Sequence, residues 1–323
     1  MSNLDPDPQE ALCGGTADVA AAPTRELLIG RDVVLGGTRG MPVTRTLPNK
    51  HRRMVGAWCF VDHYMGDVTM MVPPHPHTQL QTVTWLVTGE VRHRDSLGND
   101  QMIRPGQLNL MTAGRGIAHA EESPAPGGML HGVQLWVALP SEAAGTAPDF
   151  AHYADLPVLT DGSVSIRLLM GSLDGATSRA RAYTPLMGAE ISFAGPGRTE
   201  LILEPDFEYA ALTLTGSADV DGEPLPPGPL LYLGTGRSRL GLATDGDAKL
   251  LLLGGEPFAE EIIMWWNFIG RSHEEIVAAR DSWQAAIASG GNDRFQLVPG
   301  YDGAALPAPP LPAIALKPRP RAR

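Results

Sequence analysis

Short runs in which apolar and polar residues alternate occur along most of the chain. The runs 82–87 (TVTWLV), 108–111 (LNLM) and 132–137 (GVQLWV) each alternate with a period of two, as half-buried β-strands do. The 37 glycines and 29 prolines are spread between such runs rather than collected in one segment, which is typical of turns that join strands. The pattern predicts an all-β fold.

The strand pattern occurs twice. A strand that ends at Gly89 and is followed by Pro105-Gly106 in the first half matches a strand that ends at Gly216 and is followed by Pro227-Gly228 in the second. Each copy indicates a strand, a turn, a second strand, a tight turn and a third strand. We infer a duplicated β-sandwich domain. Its two copies are joined through the segment 141–162, which is rich in Ala, Pro and Gly.

One α-helix is expected near the C-terminus. Ser272 and Glu275 fit a capping box, and Gly290-Gly291 is a stop signal. Between them, four apolar residues share one helical face: Ile276, Ala279, Trp283 and Ile287. The Pro- and Ala-rich sequence after Asn292 favours an extended strap over the surface or a loose tail.

These features divide the chain into four parts. We expect a flexible N-terminal segment over residues 1–25 and a first β-domain, which carries the candidate site described below, over 26–145. A second β-domain over 146–295 ends in the helix, and a Pro-rich tail occupies 296–323. The fold class expected is all-β, with two tandem domains and a short C-terminal helix.

Composition and charge exclude several classes of function. The formal net charge is −11 and the basic residues cluster only over 317–323, so direct nucleic-acid binding is not expected. No apolar run approaches the ~18 residues of a membrane span, and the N-terminus lacks the pattern of a secretory signal. We therefore expect a cytoplasmic protein without membrane contact, in which Cys13 and Cys59 are free thiols.

Two pairs of residues at i, i+2 spacing point to a metal site. His75 and His77 would project from the same face of an extended strand, and His119 and Glu121 repeat that spacing. A β-sandwich can bring two such pairs together as a His3Glu set, which suits a divalent ion from Mn(II) to Zn(II). The alternative, ordinary hydrogen-bonded histidines, fits one such pair as well as a ligand role does, but fits two matched pairs less well.

The segments that surround these residues closely resemble the pirin family. The resemblance is carried by Pro74-His75-Pro76-His77, by 82–86 (TVTWL), by 93–98 (HRDSLG), by 103–106 (IRPG) and by 111–121 (MTAGRGIAHAE), and is dense from Phe60 to Leu139. It implies a bicupin, that is, two tandem cupin (jelly-roll β-sandwich) domains with the metal in the first. The family's ligands fall on His75, His77, His119 and Glu121. The second domain has no counterpart, since Ile202 and Gly241 occupy the matching positions.

The resemblance implies two classes of function. In the first, the protein is a metal-dependent quercetin 2,3-dioxygenase, a quercetinase or flavonol 2,4-dioxygenase, in which Glu121 is both a ligand and the catalytic base for a flavonol-like aromatic substrate. In the second, it is a non-enzymatic, metal-dependent regulator that binds a protein partner, either as a transcription co-regulator or as a modulator of a metabolic enzyme. Other small-molecule cupin chemistry, such as isomerisation, is a third option. We expect one metal ion per chain, Fe(II) first, with Ni, Cu, Co, Mn or Zn as alternatives.

Several neighbouring residues carry secondary hypotheses. Gln81 stands where many cupins have an acidic residue, so we expect less negative charge at the metal. Asp62 and His63 are interpreted either as groups that orient a ligand or as ordinary strand-end residues, and His93 and Asp95 are placed at a hairpin rim. No organic cofactor is expected, because Gly114-Arg115-Gly116 is interpreted as a tight turn. Four apolar residues could line a cleft, although core packing is the simpler role for each: Trp58, Phe60, Met111 and Trp136.

Overall fold

The structure, a computed structural model, describes residues 11–13, 24–35, 41–318 and 321–322. Most of the segment 1–25 that was predicted to be flexible lies outside the described residues, as does the side chain of Cys13. Cys59 is a buried thiol that takes no part in a disulfide within the described residues. The described part of the chain contains no helix that is long and apolar enough to span a membrane.

The first half of the chain is built of short strands. They are β1 (Ala11–Cys13), β2 (Glu26–Leu28), β3 (Arg31–Leu35), β4 (Met41–Leu47), β5 (Trp58–Asp67), β6 (Met71–His77), β7 (Leu80–Thr88), β8 (Val91–Asp95), β9 (Asp100–Ile103), β10 (Leu108–Thr112), β11 (Ile117–Glu122), β12 (Met129–Ala138) and β13 (Asp149–Tyr153). The three alternating runs of the sequence lie in β7, β10 and β12, as predicted.

The second half continues in strands and closes with the predicted helix. The elements are β14 (Val158–Asp161), β15 (Val164–Met170), β16 (Ser172–Leu173), β17 (Ala176–Thr177), β18 (Leu186–Phe193), β19 (Gly197–Ile202), β20 (Glu208–Thr215), β21 (Ala218–Val220), β22 (Glu223–Leu225), β23 (Leu230–Gly234), β24 (Arg239–Thr244), β25 (Ala248–Gly255), β26 (Ile262–Trp265), β27 (Phe268–Gly270) and α1 (His273–Ser289). The all-β prediction with one C-terminal helix is confirmed.

Each half forms a sandwich of one seven-stranded and one four-stranded sheet. The first half has the orders β13-β10-β7-β12-β5-β4-β3 and β6-β11-β8-β9, and the second has β14-β15-β18-β25-β20-β23-β2 and β19-β24-β21-β22. Strand β2 thus precedes the first sandwich in sequence but pairs in the second. The domain boundaries remain a prediction. Strand pairing crosses the predicted boundary at residue 145, because β13 pairs with β10 of the first sandwich.

The repeated turns are equivalent in the structure. Gly89 follows β7 and Gly216 follows β20, with φ angles of 89° and 69°. A Cβ atom would lie 2.7 Å from the carbonyl oxygen of Met129 at the first position and 2.2 Å from that of Asp247 at the second. Only glycine fits such a left-handed, crowded turn without strain. The same turn requirement thus explains why the motif recurs in the sequence.

The seven-stranded sheets of the two sandwiches pack against each other and share one apolar core. Trp58 donates its indole N–H across the interface to the carbonyl oxygens of Met187 and Gly254, at 3.1 Å each. Trp85 donates to the Glu190 carboxylate at 2.9 Å. Apolar residues of both sheets belong to the shared core, among them Val83, Val133, Leu135, Leu212, Leu251 and Leu253. The outer face of the first large sheet is therefore mostly a domain interface.

Helix α1 and the tail cover the outside of the first small sheet. Ser272 caps the helix by accepting the N–H of Glu275 at 3.3 Å, and Gly290 ends it in a left-handed conformation. The tail has no regular secondary structure over 296–318, but Leu306 donates its backbone N–H to the carbonyl oxygen of Pro74 at 2.8 Å. Trp283 donates its indole N–H back to the tail at the carbonyl of Leu306, at 2.7 Å. Of the two alternatives for the tail, the strap is the one observed.

The end of the strap is held by a buried ion pair. Glu208 is fully buried, and its carboxylate accepts hydrogen bonds from Gly56 N at 2.6 Å, from the Tyr232 hydroxyl at 2.7 Å and from Arg321 at 2.7 Å. These groups come from both halves of the chain and from its C-terminal end. An unpaired charge at this position would be costly because water cannot replace the missing partner.

We expect Glu208→Gln to lower the free energy of unfolding by about 2–4 kcal/mol, since it leaves the buried Arg321 without its counter-charge. Glu200→Gln is the control, because the Glu200–Arg239 pair has more than half of each side chain exposed and should change stability by less than about 0.5 kcal/mol. Urea unfolding followed by intrinsic fluorescence measures both. Equal effects of the two substitutions would contradict the role given to Glu208.

Candidate metal centre

The predicted ligands lie on two neighbouring strands of the first small sheet. His75 and His77 are on β6, and His119 and Glu121 are on β11. The antiparallel register sets His119 directly opposite His75. Because side chains alternate along a strand, the i, i+2 pairs face the same side, which is the interior of the first sandwich. There, the rings of His77 and Trp136 lie 5.1 Å apart in an edge-on arrangement.

Three of the four predicted ligands converge. The ring centroids of His75 and His119 are 4.4 Å apart, and each lies 5.0 Å from the ring of His77. The Nε2 atoms of His77 and His119 are separated by 3.1 Å. One ring nitrogen of each histidine lies within 4.8 Å of one ring nitrogen of each of the other two. All three side chains are fully buried.

Burial keeps these imidazoles neutral. It lowers the pKa of His77 to about 3 and lowers the pKa values of His75 and His119 well below their usual range, with further contributions from the neighbouring histidines. Transfer of a charged imidazolium into such a site is unfavourable. A neutral imidazole has one ring nitrogen with a free lone pair, which is the form that binds metal ions.

Backbone carbonyls determine which nitrogen carries that lone pair in His75 and His77. The Nδ1 of His75 lies 2.8 Å from the carbonyl oxygen of Pro73, and the Nδ1 of His77 lies 3.1 Å from that of Asn267. A carbonyl oxygen only accepts, so both Nδ1 atoms must carry the proton. Both Nε2 atoms therefore present a lone pair to the centre.

Two side chains, Asp95 and His93, form a hydrogen-bonded relay that determines which nitrogen of His119 carries the lone pair. Asp95 is fully buried; burial acts to raise the pKa of its carboxyl, but hydrogen bonds from His93 and Asn99 hold that pKa below its usual value. The carboxylate accepts from Nε2 of His93 at 3.1 Å, which leaves Nδ1 of His93 as an acceptor for the Nδ1–H of His119 at 3.4 Å. The Nε2 of His119 therefore presents the third lone pair to the centre.

The donor set fits a metal ion. Three imidazole lone pairs point at one another without a proton between them, which is unfavourable unless a cation accepts them. Nε2 of His75 is buried and has no hydrogen-bond partner among the described residues. The buried triad can therefore hold a divalent ion of the series that imidazole prefers.

Glu121 lies beside the triad rather than fully within it. One of its carboxylate oxygens lies within 4.8 Å of a ring nitrogen of His93 and of His119. The β6–β11 pairing is irregular between His119 and Glu121. The side chain is 1% exposed. Its Oε1 accepts from the Thr84 hydroxyl at 3.2 Å, so the carboxylate is held from the opposite sheet.

A row of polar side chains crosses the inner face of the large sheet below the centre. The register aligns Arg45, Asp62, Gln134, Thr84 and Asn109 on adjacent strands. Arg45 and Asp62 form a buried bidentate pair at 2.7 and 2.8 Å. Next along the row, the Thr84 hydroxyl lies 3.1 Å from the Gln134 amide. This row connects the carboxylate of Glu121 to buried polar groups rather than to apolar core.

One secondary hypothesis from the sequence is wrong, and another is incomplete. Gln81 lies on the opposite face of β7 from Thr84, where its amide donates to Thr112 Oγ1 and to the carbonyl of Arg181, at 3.0 Å each. It therefore does not set the charge at the metal centre. His93 and Asp95 lie on β8 next to the β8–β9 hairpin, as predicted, and Asp95 N donates to the carbonyl of Asn99 across the turn at 3.1 Å. They are 2% and 0% exposed and also orient His119, a role that the sequence analysis did not assign. Their own i, i+2 spacing was the signal that could have found them.

The remaining candidates divide between the two faces of the large sheet. Phe60 and Trp136 stack at 4.1 Å on the inner face, and Trp136 borders His77. Met111 is buried and lies on β10, opposite Thr82 of β7. Trp58, by contrast, bonds across to the second sandwich, as described above. Asp62 is an inner-face residue bound to Arg45, whereas His63 lies on the outer face and pairs with His131.

The second sandwich has no counterpart of the triad among the residues that the structure describes. Its interior is filled by an apolar cluster that includes Leu201, Leu203, Leu233 and Leu240. Ile202 and Gly241 lie on its small sheet, in β19 and β24. The duplicated scaffold thus carries a candidate metal centre in its first copy.

Comparison with known proteins agrees with this architecture. A Pseudomonas aeruginosa protein named "Putative quercetin 2,3-dioxygenase" is 46% identical over 287 residues, which cover 87% of this chain and 89% of that protein. A Caulobacter vibrioides pirin-like protein is 37% identical and covers 75% of this chain and 88% of its own length. The crystal structure of quercetin 2,3-dioxygenase from Acinetobacter baumannii superposes with a TM-score of 0.84 at 39% identity, covering 91% of this chain and 98% of that one.

Two family profiles match the chain, one in each half. Residues 40–137 match the sequence profile described as Pirin, and residues 189–288 match the profile described as Pirin C-terminal cupin domain. The first match lies within the first sandwich and contains the histidine triad, and the second runs from β18 of the second sandwich into α1. The chain belongs to the pirin family and is a bicupin.

Proposed function

We propose that this protein is a metal-dependent dioxygenase of the quercetinase type, with a flavonol as its substrate. The observation that carries the proposal is the convergence of three neutral imidazole lone pairs beside the buried Glu121 carboxylate. The names of the P. aeruginosa and A. baumannii relatives, at 46% and 39% identity, support the choice of reaction. The proposed ligand set is His75, His77, His119 and Glu121, which leaves two positions of an octahedral ion for substrate or water.

Fe(II) is the ion that we propose, with Ni, Cu, Co, Mn and Zn as alternatives that the same donors accept. When bound, it would supply a Lewis acid for the substrate oxygen and a binding position for dioxygen. The His93–Asp95 relay would hold His119 in the ligand tautomer. Glu121 would accept the proton of the substrate hydroxyl, with its free rotation limited by the bond from Thr84.

The walls of the site carry aromatic rings, which supports the choice of an aromatic substrate. Phe60 and Trp136 form a stacked pair near His77, and Phe150 stacks on His93 at 4.3 Å. These rings exclude water around the triad, which strengthens the interaction of Glu121 with a transferring proton. The regulator hypothesis requires the same triad but neither these walls nor a base. The cytoplasmic location stays a prediction.

The first expected result is a loss of metal in His75→Ala. Elemental analysis of the purified wild-type protein should give about one ion per chain, and the substitution should weaken binding by more than ~100-fold, because it removes a direct donor. His51→Ala is the control, since His51 is exposed and outside the triad. Absence of metal from the wild type under every loading condition would exclude the proposed centre.

The second expected result concerns turnover by Glu121→Gln. Oxygen uptake with quercetin by the Fe(II)-loaded protein should fall by about 10²–10⁴-fold, because the amide cannot accept the hydroxyl proton. Glu122→Gln is the control, since Glu122 follows directly on β11 and pairs with Arg94. Full turnover by a metal-loaded Glu121→Gln protein would disprove the role of base. Stoichiometric metal without any turnover in the wild type would favour the regulator.

The third expected result tests the relay. His93→Phe keeps a ring against Phe150 but offers no acceptor to Nδ1–H of His119, and we expect metal affinity to fall by about 10–100-fold. His93→Gln provides an amide oxygen instead and should recover most of that loss. A competition titration with a coloured chelator measures both. Equal affinities of the two variants would show that His93 acts through packing alone.

A further inference from the structure

A second group of metal-binding side chains lies on the outer face of the large sheet of the first sandwich. His63 and Met65 are on β5, and Met129 and His131 are on β12. The register sets Met65 directly opposite His131 and Met129 opposite Asp67. Since side chains alternate along each strand, all four project from the face opposite to that of the Arg45–Asp62 pair. This outer-face cluster is separate from the His75 centre.

The two imidazoles of the outer-face cluster already converge. Nε2 of His63 lies 2.8 Å from Nε2 of His131, a separation close to the 3.1 Å between His77 and His119 in the first centre. The side chains are 8% and 3% exposed. Without an ion, one ring donates its N–H to the other. Two ligands at about 2.0 Å from one ion require a separation near 3.3 Å, which small ring rotations provide.

The electrostatic surroundings favour neutral rings. Burial, followed by the proximity of His131, lowers the pKa of His63 to about 4. Burial also lowers the pKa of His131; the charge of Glu190 acts against this shift and that of Lys249 adds to it. Glu190 and Lys249 themselves form an ion pair at 3.2 Å across from the cluster. Near pH 7 both histidines are therefore available as ligands.

The methionines determine which ion would bind. Met65 and Met129 are 61% and 55% exposed and lie on the same face of the sheet as the buried imidazoles. Met65 and His131 are directly opposite, a relationship in which Cβ atoms are about 5 Å apart and a flexible thioether can reach the partner ring. Thioether donors select Cu(I) over harder divalent ions, while imidazole accepts both.

We propose that His63, His131 and Met65 form a binding site for Cu(I), with Met129 at its entrance from solvent. The competing interpretation is a hydrogen-bonded histidine pair beside two unrelated surface methionines. The two interpretations differ in one measurable respect, because only the first gives the thioether of Met65 a role in metal affinity.

The experiment uses the full-length His75→Ala protein, in which the first centre is disabled. Anaerobic titration with Cu(I) against a coloured Cu(I) chelator should show one tightly bound equivalent. Met65→Leu should weaken that binding at least tenfold, because it removes the sulfur, and should leave Zn(II) affinity unchanged. The exchange keeps the side-chain volume at an exposed position, so the fold should tolerate it.

Met71→Leu is the matched control, since Met71 is 51% exposed but lies on β6, away from the cluster. Copper X-ray absorption of the one-equivalent complex should show a sulfur neighbour that Met65→Leu removes. Equal Cu(I) affinities of Met65→Leu and Met71→Leu, or a copper ion with nitrogen neighbours only, would overturn the proposal. Neither result depends on dioxygenase activity, so the proposed function can fail independently.

Discussion

The candidate centre depends on one constraint, the orientation of three neutral imidazoles by hydrogen bonds to their Nδ1 atoms. Pro73 and Asn267 accept from two of them, and the Asp95–His93 pair fixes the third. Asn267 belongs to the turn between β26 and β27, beyond both sandwiches. The site is therefore completed by chain that returns after the second sandwich. An isolated first sandwich would lack the partner that fixes the tautomer of His77.

The second sandwich supports this arrangement without sharing its chemistry. Its interior is occupied by leucines, whereas its large sheet shares an apolar core with the first. The hydrogen bonds of Trp58 and Trp85 cross that interface. Because most of the outer face of the first large sheet is covered, the inner face can carry buried polar groups such as Arg45 and Asp62 without losing the stability of the sheet.

Local periodicity made the fold and the histidine pairs predictable. A two-residue period fixes the face of a strand, so His75 with His77 and His119 with Glu121 could be assigned together. The placement of Gln81 at the metal, which rested on the cupin motif, failed because the chain turns at Gln79, where φ is 58°, and the next strand presents Gln81 to the other sandwich. The partner of His77 could not be predicted, since 190 residues separate it from Asn267 and sequence spacing carries no signal at that range.

The charge of the proposed centre bears on the substrate that it would accept. Glu121 is the one carboxylate in the proposed ligand set, and its neutral imidazole neighbours add no charge. A divalent ion would therefore retain one uncompensated positive charge in a buried site. The next carboxylate, that of Asp95, contacts His93 and not the ligand nitrogens. Such a charge stabilises an anionic oxygen far more than in water. Under the proposed function, a flavonol hydroxyl would lose its proton readily there, with Glu121 as the proposed acceptor.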